Sequence, residues 1–306
     1  MNKHRREFLK QVGAWSAGAA FAGPLLRITP ELLADEAVAP VVSVAKGKDY
    51  QALVTAVLKP LGGIEAFVRQ GQKVVVKPNI GWDRKPELAA NTHPQVVLAV
   101  VKAALAAGAA QVMVFDRSCN DARKSYASSG IQQAVEAIGD KRVTCPFMED
   151  RKYIPIKIEK GQTLKQWALY KDAVEADAYI NVPIAKHHSL AKLTLGLKNI
   201  MGIMGDARQQ IHKAMAQSVA DLNTVVRPKL TIIDATRILI AHGPQGGKPE
   251  DVKELDTLIA SADTVAADAY AATLFALKPA DVPIIAAAAK MGLGEMDLGK
   301  IKVVEA

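Results

Sequence analysis

The stretch Ala178-Tyr-Ile-Asn-Val-Pro-Ile-Ala-Lys-His-His-Ser-Leu190, running on through Leu193-Thr-Leu-Gly-Leu-Lys-Asn-Ile-Met-Gly-Ile-Met-Gly205, carries most of what the sequence says about architecture. Ala178 to Val182 reads as a buried strand, and Pro183 ends its ladder because it has no N–H to donate. Lys186, His187 and His188 then follow just past the strand's carboxyl end. In open α/β sheets that is where ligands bind. Further on, Lys198 stands between Leu195 and Leu197 on one side and Ile200 and Met201 on the other. An unpaired ammonium in such a place costs several kcal/mol or gives up its proton. Lys198 therefore needs an anion, solvent or a cavity.

Outward from this stretch, apolar strands alternate with Ala-rich helices. Strands are expected at 41–44, 74–76, 112–115, 230–233, near Leu258 and at 301–304, with lesser ones at 143–145 and 154–158. Helices are expected over 50–69 (broken at Pro60 and Gly62-Gly63), 94–107, around 131–138, 207–222, 265–277 and 283–291. Continuous Val/Ile runs between helices indicate an α/β fold, a mostly parallel sheet with helices on both faces and a ligand cleft at the strand carboxyl ends.

Central strands end in polar groups. Lys77-Pro-Asn79 follows one, Asp116-Arg-Ser118 another and Asp234 a third, and Lys186-His187 makes a fourth. Each alone reads equally as a cap or a solvated charge; together they predict one shared cleft. Thr92 and His93 open the helix after Lys77, where backbone N–H groups can face an anion. The Gly-rich loop from His242 to Gly247 lacks both the Lys-Ser/Thr of a P-loop and the Rossmann spacing, so no nucleotide site is read from it.

His187, His212 and His242 are the candidate metal ligands, although no HxH or HxxxH spacing supports them. Asp268, set among alanines, is a second buried charge and a candidate partner for Lys198. Cys119 and Cys145 are the two cysteines. They pair as a disulfide in an oxidising compartment, or Cys119 stays a free thiol facing the site. With no CxxC, an iron–sulfur cluster held by this chain alone is not expected.

The amino-terminal segment 1–39 reads as an address. Arg5, Arg6, Phe8, Leu9 and Lys10 resemble a twin-arginine export signal, and the weakly hydrophobic run from Gln11 to Leu26 is shorter than the roughly twenty residues of a membrane span. The alternative is an amino-terminal membrane anchor. The expected partners are the twin-arginine export machinery and a small anionic ligand, the location is periplasmic or exported, and no stable membrane span remains after processing. Residues 40–306 are expected to form one α/β domain, or two closely packed lobes. Net charge is +8, and removal of 1–39 leaves +7. No Lys/Arg run with interleaved aromatics suggests nucleic acid.

Val75-Val-Lys77-Pro-Asn79, Thr92-His-Pro94, Asn181-Val-Pro183, Lys186-His187, Leu195-Gly-Leu-Lys-Asn-Ile-Met-Gly202, His212, Asp221-Leu222 and Gly292-Leu-Gly294 together resemble the domain of unknown function 362 family, from about Val41 to Glu305. The resemblance implies a prokaryotic group without a settled activity. Some of its members carry a cysteine-rich ferredoxin module that this sequence lacks. A fainter likeness to the amino-terminal part of the nickel-cofactor lactate racemases implies only an α/β unit with a Lys/His pocket. The expected function is an enzyme acting on a small anion. Lys186, His187 and Lys198 would be catalytic, and Lys77, Asn79, Thr92, His93, Asp116, Asn199 and Asp234 would bind ligand or cofactor. The cofactor is open between a metal ion and an organic group, and the reaction between redox and isomerase-like chemistry. The alternative is a metal- or anion-binding delivery protein without catalysis.

Overall fold

Ten strands of one sheet set the frame among the described residues, which are 39–306 of a computed structural model. With a further pair, the described strands are β1 (Val41–Lys46), β2 (Lys73–Pro78), β3 (Gln111–Val114), β4 (Val143–Thr144), β5 (Tyr153–Lys157), β6 (Gln166–Tyr170), β7 (Ala178–Val182), β8 (Ile184–His188), β9 (Lys192–Thr194), β10 (Leu230–Leu239), β11 (Val252–Ser261) and β12 (Lys302–Glu305). Their order is β12-β1-β11-β10-β7-β2-β3-β4, with β8 against β10 and β9 against β8. The pairings from β4 to β10 along this path are parallel, as is β12 with β1, while β11 runs antiparallel to both its neighbours. β5 and β6 form a separate antiparallel pair.

The central strands are apolar on both faces because both faces are covered. Val74 and Val76 point into one core with the helices Tyr50–Leu58 and Pro94–Ala106. Val75, Phe115 and Ile233 point into the other, with the helices Met215–Leu222, Thr264–Thr273 and Pro283–Lys290. Helix starts follow local chemistry. Asp49 and Asp263 accept N–H bonds from their first turns. His93 caps the next helix, with Pro94 at its first position.

Three sequence expectations change here. β10 runs ten residues, so Asp234 lies mid-strand rather than at a strand end. Its length follows from Pro183: β7 stops there, the Pro183 carbonyl accepts from Asp234 N at 2.8 Å, and β8 continues alongside β10. Lys186, His187 and His188 consequently belong to a strand, not to a loop. The helix expected over 207–222 divides into a 3-10 segment, Arg208–Ala214, and an α-helix, Met215–Leu222.

No described helix is long and apolar enough to cross a membrane. Cys119 is exposed, Cys145 is buried, and both are free thiols. The expected export segment lies outside the described residues.

Candidate active site

A buried ion pair anchors the site. Lys77 is fully buried on β2, and its Nζ meets Asp116 Oδ1 at 2.7 Å, Pro78 O at 2.8 Å and Asn199 Oδ1 at 3.0 Å. These three acceptors match the three N–H of an ammonium. Burial draws Lys77 below the ordinary lysine range and Asp116 opposes that pull. Asp116 follows β3, and its other oxygen accepts from Ile80 N at 2.6 Å. Gly202 packs directly on the pair, and a Cβ there would collide with Asp116 Oδ1 and the end of Lys77. This is the physical reason for a glycine within the Leu-Lys-Asn-Ile-Met-Gly block.

Asn199 extends the polar chain. Its Nδ2 donates to Lys77 O and Asn181 Oδ1, and its Oδ1 also accepts from Asn79 Nδ2 at 3.2 Å. Asn79 Oδ1 in turn accepts from Lys186 Nζ at 3.2 Å. The short helix Gly196–Asn199 that holds Lys198 and Asn199 is fixed by Asp268, which accepts from Gly196 N at 2.7 Å and Leu197 N at 2.9 Å. Burial pushes the Asp268 carboxyl up to about 7, against those two donors. Asp268 therefore serves this helix's backbone, and the expected Asp268–Lys198 pair is not formed.

These elements enclose a cavity of about 410 Å³. Lys77, Lys186, Lys198, Arg117 and Arg208 line it, against Asp116 as the lining carboxylate. Lys186 is buried, donates to Ala90 O at 2.5 Å and lies 6.0 Å from the Trp82 ring centre. It has no carboxylate partner among the described residues, nor does Lys198. Burial lowers Lys186 to about 7 and Lys198 to about 8, with neighbouring cations adding to the fall. The two arginines spend N–H groups on backbone carbonyls: Arg117 on Met204 and Asp206, Arg208 on Arg117 and Ser118. Their charges remain uncancelled.

The strand explains which histidine enters the site. Side chains alternate across a strand, so Lys186 and His188 share a face and His187 takes the other. His188 lines the cavity and His187 does not. His188 Nδ1 accepts from Leu190 N and Ala191 N at 3.1 and 3.2 Å. That assigns the ring proton to Nε2 and makes neutral His188 a donor there. Burial, with Lys198 and Lys186 nearby, depresses its pKa to about 3. His187 Nδ1 likewise accepts from Gly243 N at 3.1 Å.

The expected metal trio is not assembled. Among the described residues no three His, Cys, Asp or Glu side chains converge on one point. His242 pairs with Asp251 at 2.8 Å, and His187 offers a protonated Nε2, which a metal cannot use. His212 alone of the three lines the cavity, exposed at its rim with Nδ1 on Gln209 O at 2.7 Å. That contact makes Nδ1 the donor and leaves Nε2 outside it.

Asp234, Thr92 and His93 lie elsewhere. Asp234 is buried against Arg237 at 2.6 Å and accepts from His93 N at 2.7 Å. His93 stacks on Tyr50, and burial lowers it to about 4. Thr92 hydrogen-bonds Val182 O and Asn79 N, tying its loop to the sheet. The cleft thus unites three of the four expected clusters. Arg117 had a signal, since it adjoins Asp116. Thr194 lies between Lys186 and Lys198 and stands opposite Lys186 in the β8–β9 pair, and Trp82 follows Asn79 by three residues, so only Arg208 had no signal nearby in sequence.

The family described as Domain of unknown function (DUF362) matches residues 74–273. The chain belongs to that family. The DUF362 match takes in the whole cavity wall from Lys77 to Pro244. The chain is 28% identical over 267 residues to a thylakoid-associated protein of Synechocystis sp. (strain ATCC 27184 / PCC 6803 / Kazusa), covering 82% of this chain and 79% of that one. Two solved structures align with part of it: a Thermotoga maritima protein (TM-score 0.46, 12% identity) and the lactate racemase apoprotein of Thermoanaerobacterium thermosaccharolyticum (TM-score 0.44, 11% identity). Each comparison covers 76% of this chain, which spans 60% and 56% of those two chains.

Proposed function

We propose that the protein is an exported enzyme that binds a small anionic organic compound in this cavity and moves a proton on it. The observation that carries the reading is the imbalance of five lining basic side chains over one lining carboxylate, with Lys186 and Lys198 lacking a carboxylate partner among the described residues. A cavity of this kind is costly when empty and favourable when an anion supplies the missing charge. Lys198, Arg117 and Arg208 would hold the anionic group, and His188 Nε2–H would orient it. Lys186, whose amine sits near neutrality at about 7, would exchange the proton. This moves the acid/base role from His187 to Lys186. The twin-arginine reading of Arg5 and Arg6 supports export, and the thylakoid association named for the relative is compatible with a protein that works at or beyond a membrane.

Thermal melts of the full chain with oxalate, glyoxylate, glycolate and inorganic phosphate test binding, since a ligand at a hundred times its Kd raises stability by about 2.7 kcal/mol. Hydrogen exchange from glycolate in heavy water, read by NMR, tests chemistry. An upward shift with exchange that Lys186→Met abolishes is expected. Stabilisation without exchange or conversion of any of these acids would indicate a binding protein, and no stabilisation would remove the anion site.

A further inference from the structure

We infer that Cys119 is a nucleophile of this cavity, which adds reversibly to the carbonyl carbon of a small anionic oxo acid. The inference rests on the anion-binding reading and names its substrate class. Cys119 lies in the loop between β3 and the helix Ala122–Ser129, is exposed, and lines the cavity beside the cations. Its backbone N–H is held by Gly81 O at 2.7 Å, and Arg208 Nη2 donates to Sγ at 3.2 Å. A guanidinium on a partly exposed sulfur is the environment of reactive thiols. The other thiol, Cys145, contrasts with it: burial pushes it up to about 12 and removes it from the surface.

A second, independent observation points to an oxygen-rich ligand. Thr194 is 3% exposed and lines the same cavity, and its Oγ1 has no hydrogen-bond partner among the described residues. Buried hydroxyls are normally satisfied, so this one lacks the acceptor that a bound carboxylate or carbonyl oxygen provides. Among the described residues Lys186 and Lys198 also lack anionic partners, and they, like Arg208, suit an oxyanion that forms during attack.

The step balances without a further reactant. The C–S bond forms as the carbonyl π pair moves to oxygen, and that oxygen takes the proton given up by the thiol, relayed by Lys186. The product is a thiohemiacetal with glyoxylate or a thiohemiketal with a larger oxo acid. No electron leaves the pair of reactants, and reversal releases the acid unchanged.

Alkylation of the full chain tests this, with mass spectrometry to identify the modified thiol and 2-mercaptoethanol as the reference. The anionic reagent iodoacetate is expected to gain roughly tenfold over neutral iodoacetamide at Cys119, relative to the same ratio for the free thiol, because a cationic cleft concentrates anions. Cys145 should stay unlabelled. Glyoxylate should then slow labelling roughly tenfold more than equal glycolate, which has the same size and charge but no carbonyl. A preference for iodoacetate with equal protection by the two acids would overturn the nucleophile while leaving the anion cavity intact. Loss of both the preference and all protection would overturn the two together. Cys119→Ser separates them further: it should abolish the advantage of glyoxylate over glycolate in thermal melts while keeping the shift with oxalate.

Discussion

Lysines in one cavity can have opposite duties, and their partners tell them apart. Lys77 is saturated by Asp116, Pro78 and Asn199, whereas Lys198 faces the cavity with no anion. Lys77→Met strands the buried Asp116 carboxylate and is expected to cost about 3–5 kcal/mol of stability. Lys198→Met removes a charge that folding does not need, so denaturant melts should change little. Its effect belongs to ligand binding, which should weaken by about 1.5–3 kcal/mol, the range for a hydrogen bond to a charged group. Equal losses of stability in the two variants would mean that Lys198 also has a structural anion. Gly202→Ala belongs with Lys77, because its methyl group enters the space of the ion pair. Calorimetric unfolding should show a lowered Tm in both.

At the scale of elements, Asp234 separates architecture from chemistry. From β10 it holds Arg237 and the His93 backbone, and it is not part of the cavity lining. Asp234→Ala should therefore destabilise by about 3–5 kcal/mol through the unpaired buried Arg237. Its oxalate affinity, measured by calorimetry below the melting range, should match that of the native chain; a selective loss of affinity would put Asp234 back in the site. Much of this framework was legible in the sequence. The Val74–Val76 run and the Pro94 helix follow local rules, and the polar groups at the ends of β2 and β3 do meet in one cleft. The misplacement of Asp234 and of Lys186-His187-His188 has a common origin in Pro183. Read as a terminator, it made Lys186-His187-His188 a loop, in which parity has no meaning. As a break between two strands running along β10, it fixes that parity and turns His188, rather than His187, into the cavity. Arg208 was illegible because tertiary packing, not spacing, brings it to the wall, and Thr194 joins the wall through the local β8–β9 pairing that the loop reading of Lys186-His187-His188 left out.

Across the whole molecule, one sheet with two covered faces places a cationic hollow where β2, the end of β3 and β8 come together, and the short Gly196–Asn199 helix closes it with Lys198. The proposed export belongs to this scale. Arg5→Lys with Arg6→Lys should retain the protein in the cytoplasm by cell fractionation, and unchanged export would remove the twin-arginine reading. The account's centre is that the hollow exists for an anion. Burial depresses Lys186 to about 7 and Lys198 to about 8 in the free protein, and a bound anion must raise both. Affinity contributed by these groups is then complete below the free-protein values and is lost as pH rises through the higher values of the complex. The decisive measurement is calorimetric titration with oxalate, whose own charge is constant in this range, at pH 6 and pH 9 and in buffers of different ionisation heat. Binding about tenfold tighter at pH 6 for each unit by which a lysine is shifted, with proton uptake near pH 8, is predicted. Affinity independent of pH with no proton uptake, or no oxalate binding at either pH, would contradict it.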